Sequence, residues 1–190
     1  FCFREESVLN IVVFVIHICM KNLFIALTLL CVCIPTFAEK TEDMYIMRHT
    51  TQGQLFFISE NIFPSIDSKF TLPFDITYLN TSDTVSIKMT VSSHTLTNVD
   101  SVALVLEDDR YVCPQVKSIY KEKEKKHWIH RCDCVFSYEE TKKGLIQFTS
   151  PQLVVYTAAG VQTYAMPQKK WQALHQHLLE IFMLIDASKR

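Results

Sequence analysis

The residue types able to do chemistry concentrate in one stretch, His127-Trp128-Ile129-His130-Arg131-Cys132-Asp133-Cys134, with Cys113 upstream. Two histidines and two cysteines within eight residues are ligand types for a soft metal ion. Read as a strand, the segment puts His130, Cys132 and Cys134 on one face with Trp128 and Phe136, and turns His127 to the other. Ligands two apart on a strand are separated by about 6.6 Å at Cα, an awkward bite for a single ion, and the shared face has the composition of a core. The competing reading is a disulfide from Cys113 to Cys132 or Cys134 across a hairpin. Closing that loop of about 20 residues contributes roughly 3 kcal/mol and leaves one cysteine over. A redox role requires surroundings that stabilise a thiolate, which the sequence does not reveal. Buried thiols or a structural disulfide are therefore the leading expectation, with a metal site at His130, Cys132 and Cys134 as the alternative.

Other chemistry is sparse. His175 and His177, two apart on an expected helix, point to nearly opposite sides and cannot chelate one ion. Glu107, Asp108 and Asp109 lack the spaced oxygens and glycine of a calcium loop and read as a turn. The chain has no nucleophile elbow, no zinc-protease helix and no phosphate loop, and only three glycines with which to build one. The sequence thus designates no catalytic residue and no cofactor. Asn80-Thr81-Ser82 matches an N-glycosylation acceptor, and Asp83-Thr84-Val85 and Asp100-Ser101-Val102 match a short O-glycosylation signal.

The elements that must position these residues are mainly strands. The clearest signal lies in residues 69–91. Phe70, Leu72, Phe74, Ile76 and Tyr78 alternate with polar residues, as do Val85, Ile87, Met89 and Val91, around the turn formers at 80–83. This predicts an antiparallel hairpin with one wet and one buried face, needing cover from the rest of the chain. Residues 44–49 and 54–59 read as strands around a turn at Thr50-Thr51-Gln52-Gly53. Residues 101–106 are apolar at nearly every position, which implies burial on both faces. Residues 110–120 and 127–138 read as a long hairpin whose charged tip, residues 121–126, guards a sheet edge. Residues 139–144 read as a turn, and 145–149, 152–157 and 161–165 as the last strands. Residues 168–187 follow Pro167 as a helix, with Trp171, Leu174, Leu178, Ile181, Phe182 and Ile185 on its buried face. Leu179, Met183 and Leu184 widen the apolar surface, so a partner or a membrane surface could dock there.

From Met20 the sequence has the parts of a cleaved export signal: Lys21, an apolar run at 23–34, and small residues at Thr36 and Ala38. Residues 1–19 then read as upstream sequence from a misplaced start, 20–38 as the signal peptide, and 39–190 as a single β-rich domain. The two apolar runs at 8–19 and 23–34 are each too short for a membrane span. Export leaves Cys113, Cys132 and Cys134 in an oxidising compartment.

With 190 residues, a net charge of −1, 21% charged and 48% hydrophobic residues, the composition is that of an ordinary globular protein and excludes nucleic acid as an expected partner. The expected fold is all-β: an immunoglobulin-like β-sandwich of about eight to ten strands with one C-terminal helix packed on it, or alternatively an up-and-down barrel. The expected function is that of an exported, non-enzymatic cell-envelope protein, periplasmic or at the cell surface, binding a protein or a glycan. A small-molecule or lipid carrier and a metal or thiol-redox protein are the alternatives.

Overall fold

The computed structural model describes residues 41–107, 109–113 and 115–189. The expected leader at 20–38, the upstream segment at 1–19 and Asp108 lie outside the described residues.

Alternation of apolar and polar residues drives ten strands into two open antiparallel sheets. The first sheet has the order β1 (Tyr45–Thr50), β2 (Gly53–Pro64), β3 (Thr71–Leu79), β4 (Thr84–Ser93), β8 (His127–Ser137), β7 (Lys117–Glu124). The second has the order β10 (Gly160–Ala165), β9 (Gln152–Thr157), β5 (Val99–Val105), β6 (Arg110–Cys113). The expected central hairpin is β3–β4, with Phe74 opposite Met89, Ile76 opposite Ile87 and Tyr78 opposite Val85. All six of these side chains are buried. Strand β5 buries Val102, Ala103 and Leu104 in succession, as its unbroken apolar run predicts.

A closed barrel is ruled out, because strands 5, 6, 9 and 10 leave the first sheet and pair among themselves. The two sheets share one core, and at one side their backbones are also joined. There Ser65, just past the end of β2, bridges to Tyr164 of β10, and the Ile66 N–H donates to Thr163 O at 2.9 Å.

Two further expectations need correction. Residues 110–120 do not form one arm of a hairpin with β8. The chain switches sheets after Cys113, so β6 pairs with β5 and only Lys117–Glu124 pairs with β8. Residues 139–144 are not a turn but most of a helix, α1 (Tyr138–Leu145), which also removes the strand expected at 145–149. Ser137 caps the helix by accepting from the Glu140 N–H at 3.1 Å, while the Glu140 carboxylate accepts from the Ser137 N–H at 3.3 Å. Gly144 lets α1 pack closely on Leu104 of β5, since a Cβ there would force Leu104 Cδ2 to shift.

Helix α2 (Gln168–Ser188) covers the first sheet, and the whole stripe from Trp171 to Ile185 that the 3.6-residue period picks out is buried. Trp171 and Phe74 both pack on Phe63, at ring-centroid distances of 6.1 and 5.2 Å. Near the helix C-terminus Tyr138 lies between Tyr78 and Phe182, at 4.6 and 5.9 Å. Among the described residues no helix is long and apolar enough to cross a membrane.

The turn of the β7–β8 hairpin forces Lys125 into the left-handed region, with φ 53°. Lys125→Gly is expected to stabilise the protein by about 0.5–1 kcal/mol, because relief of strain outweighs the added freedom of the unfolded chain. Urea denaturation checks this, and a lower midpoint for the variant would contradict it.

Candidate functional site

The sequence pattern on β8 is borne out in its geometry. His130, Cys132 and Cys134 point into the core together with Phe136, opposite Val91, Met89, Ile87 and Val85 of β4. Cys113 reaches the same interior from β6 of the other sheet. The cysteines therefore meet between the sheets and not across a hairpin. All three are free thiols, and all three are buried. Cys132 donates to Met89 O at 3.7 Å and Cys113 to Gln115 O at 3.4 Å. Hydrogen bonding with Cys132, then burial, then the neighbouring Cys113 push the Cys134 thiol well above its ordinary range. A thiol held protonated is a poor nucleophile and a poor metal ligand, so these surroundings oppose thiolate chemistry at Cys134.

His130 receives no help from a carboxylate. Its Nε2 lies 3.0 Å from Ser118 Oγ, and its buried Nδ1 has no hydrogen-bond partner. Burial, and then the positive charge of Lys121, lower its pKa, so the ring is neutral at pH 7. Among the described residues no three His, Cys, Asp or Glu side chains come together closely enough to hold a metal ion.

These positions give a direct expectation for thiol reactivity. In the folded protein Cys132 and Cys134 are expected to resist a maleimide, and all three described cysteines to react once guanidinium unfolds the chain. Peptide-resolved mass spectrometry reads the difference. Rapid native labelling of Cys134 would show that the region between the sheets opens.

The remaining sequence candidates serve structure. His175 and His177 lie on different sides of α2, as their spacing requires. His175 Nε2 is 2.7 Å from Ile146 O, and His177 Nδ1 is 2.9 Å from Thr41 Oγ1. Asp109 closes the β5–β6 turn by accepting from the Leu106 N–H at 2.8 Å and pairs with Lys143 at 2.5 Å. Both ends of the Asn80 carboxamide are hydrogen-bonded. Its Oδ1 accepts from the Gln54 N–H and its Nδ2 donates to Ser188 O, each at 2.9 Å, so its amide is tied into the fold and not presented for glycan attachment.

Two surfaces were not singled out from sequence. The outer face of the first sheet carries a polar ladder: Arg131 bonds Asp75 and Thr90, Lys88 bonds Thr77, and Ser86 bonds Asp133. The outer face of the second sheet is more apolar, though Ser101, Arg110, Gln152 and Thr163 share it. Val112 and Val161 are 48% and 58% exposed on either side of the covered Ala103 and Val154, and Arg110 lies over the Tyr156 ring at 5.3 Å. Strand β9 carried this signal, since both of its parities are largely apolar. Two clefts flank this sheet, of about 290 Å³ by the β5–β6 turn and about 360 Å³ between α1 and Tyr111. No family model, no curated protein and no solved structure matches this chain.

Proposed function

We propose that the protein is an exported, non-enzymatic β-domain of the cell envelope that acts by binding another protein, with its two sheets packed in the manner of a sandwich. The apolar residues on the outer face of the second sheet carry this reading. A wet sheet face ordinarily alternates toward polar residues, as the first sheet does with its Asp75–Arg131–Thr90 ladder. The second sheet instead presents Val112, Val161, Val105 and Tyr156 around Ala103 and Val154, with Arg110, Ser101, Gln152 and Thr163 interspersed, an apolar centre with polar residues of the type that protein interfaces cover. The export pattern at 20–38 supports an envelope location, and the protonated, buried Cys134 weighs against thiol chemistry.

A photo-crosslinking residue placed at Val112 or Val161 in cells is expected to yield one dominant protein adduct. The same residue at Ser68, on a different surface, serves as control. Adducts no stronger than those from Ser68, or specific turnover by the purified protein, would overturn the proposal.

A further inference from the structure

The two open sheets have four edge strands, and three of them are protected. Strand β6 is only four residues long. Strand β7 is bulged between Ser118 and Tyr120 and bristles with Lys117, Lys121, Lys123, Glu122 and Glu124. Strand β10 is tied to the chain at Ser65 and Ile66. Short, charged, bulged or covered edges are the usual means of preventing strand addition. Strand β1 has none of these devices. It is six residues long, pairs with β2 without a bulge, holds Arg48 as its single charged residue besides a histidine, and exposes Ile46 and Met47.

Which backbone groups are open follows from the register. Thr50 and Gly53 close a two-residue turn, so Thr50, Arg48 and Ile46 direct their N–H and C=O toward β2. Gln54, next along β2, turns its own N–H and C=O the other way, to Asn80, as this alternation demands. The N–H and C=O groups of Tyr45, Met47 and His49 therefore point away from the sheet, and among the described residues nothing pairs with them.

We infer that this edge joins the same edge of a second copy, forming one continuous sheet through an antiparallel β1–β1 pair centred on Met47. The sequence of β1 is self-complementary in that register. An antiparallel pair of identical edges requires a two-fold axis normal to the sheet, so the inner faces stay on one side and Met47 can face only Tyr45, Met47 or His49 of the other copy. Two near-complete registers satisfy this. Centring on Arg48 sets two guanidinium groups directly opposite each other. Centring on Met47 sets Met47 against Met47, Tyr45 against His49 and Ile46 against Arg48, and lets all three outward-pointing residues of each strand form hydrogen-bonded pairs.

Helix α2 is tied to the segment that leads into this edge. Thr41, just before β1, bonds His177 and Glu180, and Asn80 bonds Ser188, so Leu184, 46% exposed, lies on the helix between these two ties. Joining five residues from each edge covers less than the ~1,200 Å² of a standard interface, so the dimer is a weak one, in the micromolar range or above.

Sedimentation velocity of the purified protein from about 1 to 500 µM tests the inference. A monomer–dimer equilibrium is expected within that range. Met47→Pro removes an N–H that points outward while leaving the β1–β2 bonds intact, and is expected to abolish dimerisation without unfolding the monomer, as checked by far-UV circular dichroism. Ile46→Lys, facing Arg48 twice across the axis, should weaken the dimer by about tenfold, and Ile46→Glu should tighten it several-fold. A monomer at every concentration, a dimer indifferent to Met47→Pro, or a dimer weakened by Ile46→Glu would each overturn it. Because Val112 and Val161 lie on the other sheet, this outcome is read independently of the crosslinking experiment.

Discussion

Trp171→Ala is expected to remove about 4–5 kcal/mol of stability, a large part of what a domain of this size possesses. The indole is fully buried, where helix α2 first touches the sheet, and it packs at 6.1 Å from Phe63. Its Nε1–H donates to Gln147 O at 2.9 Å, so it also holds the chain leaving α1. Truncation opens a cavity the size of the indole and leaves a carbonyl without its donor. Trp171→Phe separates the two effects. It keeps most of the volume, loses only the hydrogen bond, and should cost about 1–2 kcal/mol. In urea denaturation the alanine variant should lose several times as much as the phenylalanine variant. A loss below about 2 kcal/mol for alanine would mean that the first turns of α2 are not anchored by this residue.

The sequence reveals elements whose signal is local and periodic. The β3–β4 hairpin is legible because Phe74, Ile76, Tyr78, Val85, Ile87 and Met89 alternate strictly, and a one-residue slip would turn every one of them to water. Helix α2 is legible for the same reason at a period of 3.6. Helix α1 was equally accessible, since Ser137 and Glu140 stand at capping-box spacing, but the charged run Glu139-Glu140-Thr141-Lys142-Lys143 resembles a turn when the cap is overlooked. What no local pattern contains is the choice of partner strand. Residues 110–113 alternate and 117–124 are polar apart from Ile119 and Tyr120, and only the long-range pairing of Arg110–Cys113 with β5 assigns the two segments to different sheets. The candidate site inherits this limit. That His130, Cys132 and Cys134 share a face follows from their spacing, whereas the approach of Cys113 from the opposite sheet depends on the switch.

Alkaline unfolding is expected to begin near pH 10 and to be steep. Tyr78, Tyr138 and Tyr164 are buried, and each hydroxyl donates to an acceptor: Tyr78 to Ser82 O at 3.0 Å, Tyr138 to Asp186 Oδ1 at 2.7 Å, and Tyr164 to Gln162 Oε1 at 2.7 Å. Only the neutral phenol can make these bonds. Burial, then the charges of Asp83, Asp186 and Glu139, push Tyr78 up to about 12, and burial alone pushes Tyr164 up to about 12. Burial, followed by the bond to Asp186, raises Tyr138 further still. In the unfolded chain all three ionise near pH 10. Each folded-state pKa thus lies above its unfolded value, so the stabilisation is complete below pH 10 and is lost as pH rises from 10 toward 12. Three such groups make stability fall by up to about 4 kcal/mol per pH unit in that window, enough to unfold the domain near pH 12. Tyr164→Phe should reduce the slope by about one third, and Tyr138→Phe by a similar amount. At neutral pH Tyr138→Phe also costs about 1–3 kcal/mol, because Asp186 keeps Lys142 at 2.6 Å but loses its second donor. Equilibrium denaturation at stepped pH, together with phenolate absorbance, measures both slopes. Full ionisation of the three tyrosines near pH 10 in the folded protein would contradict their burial.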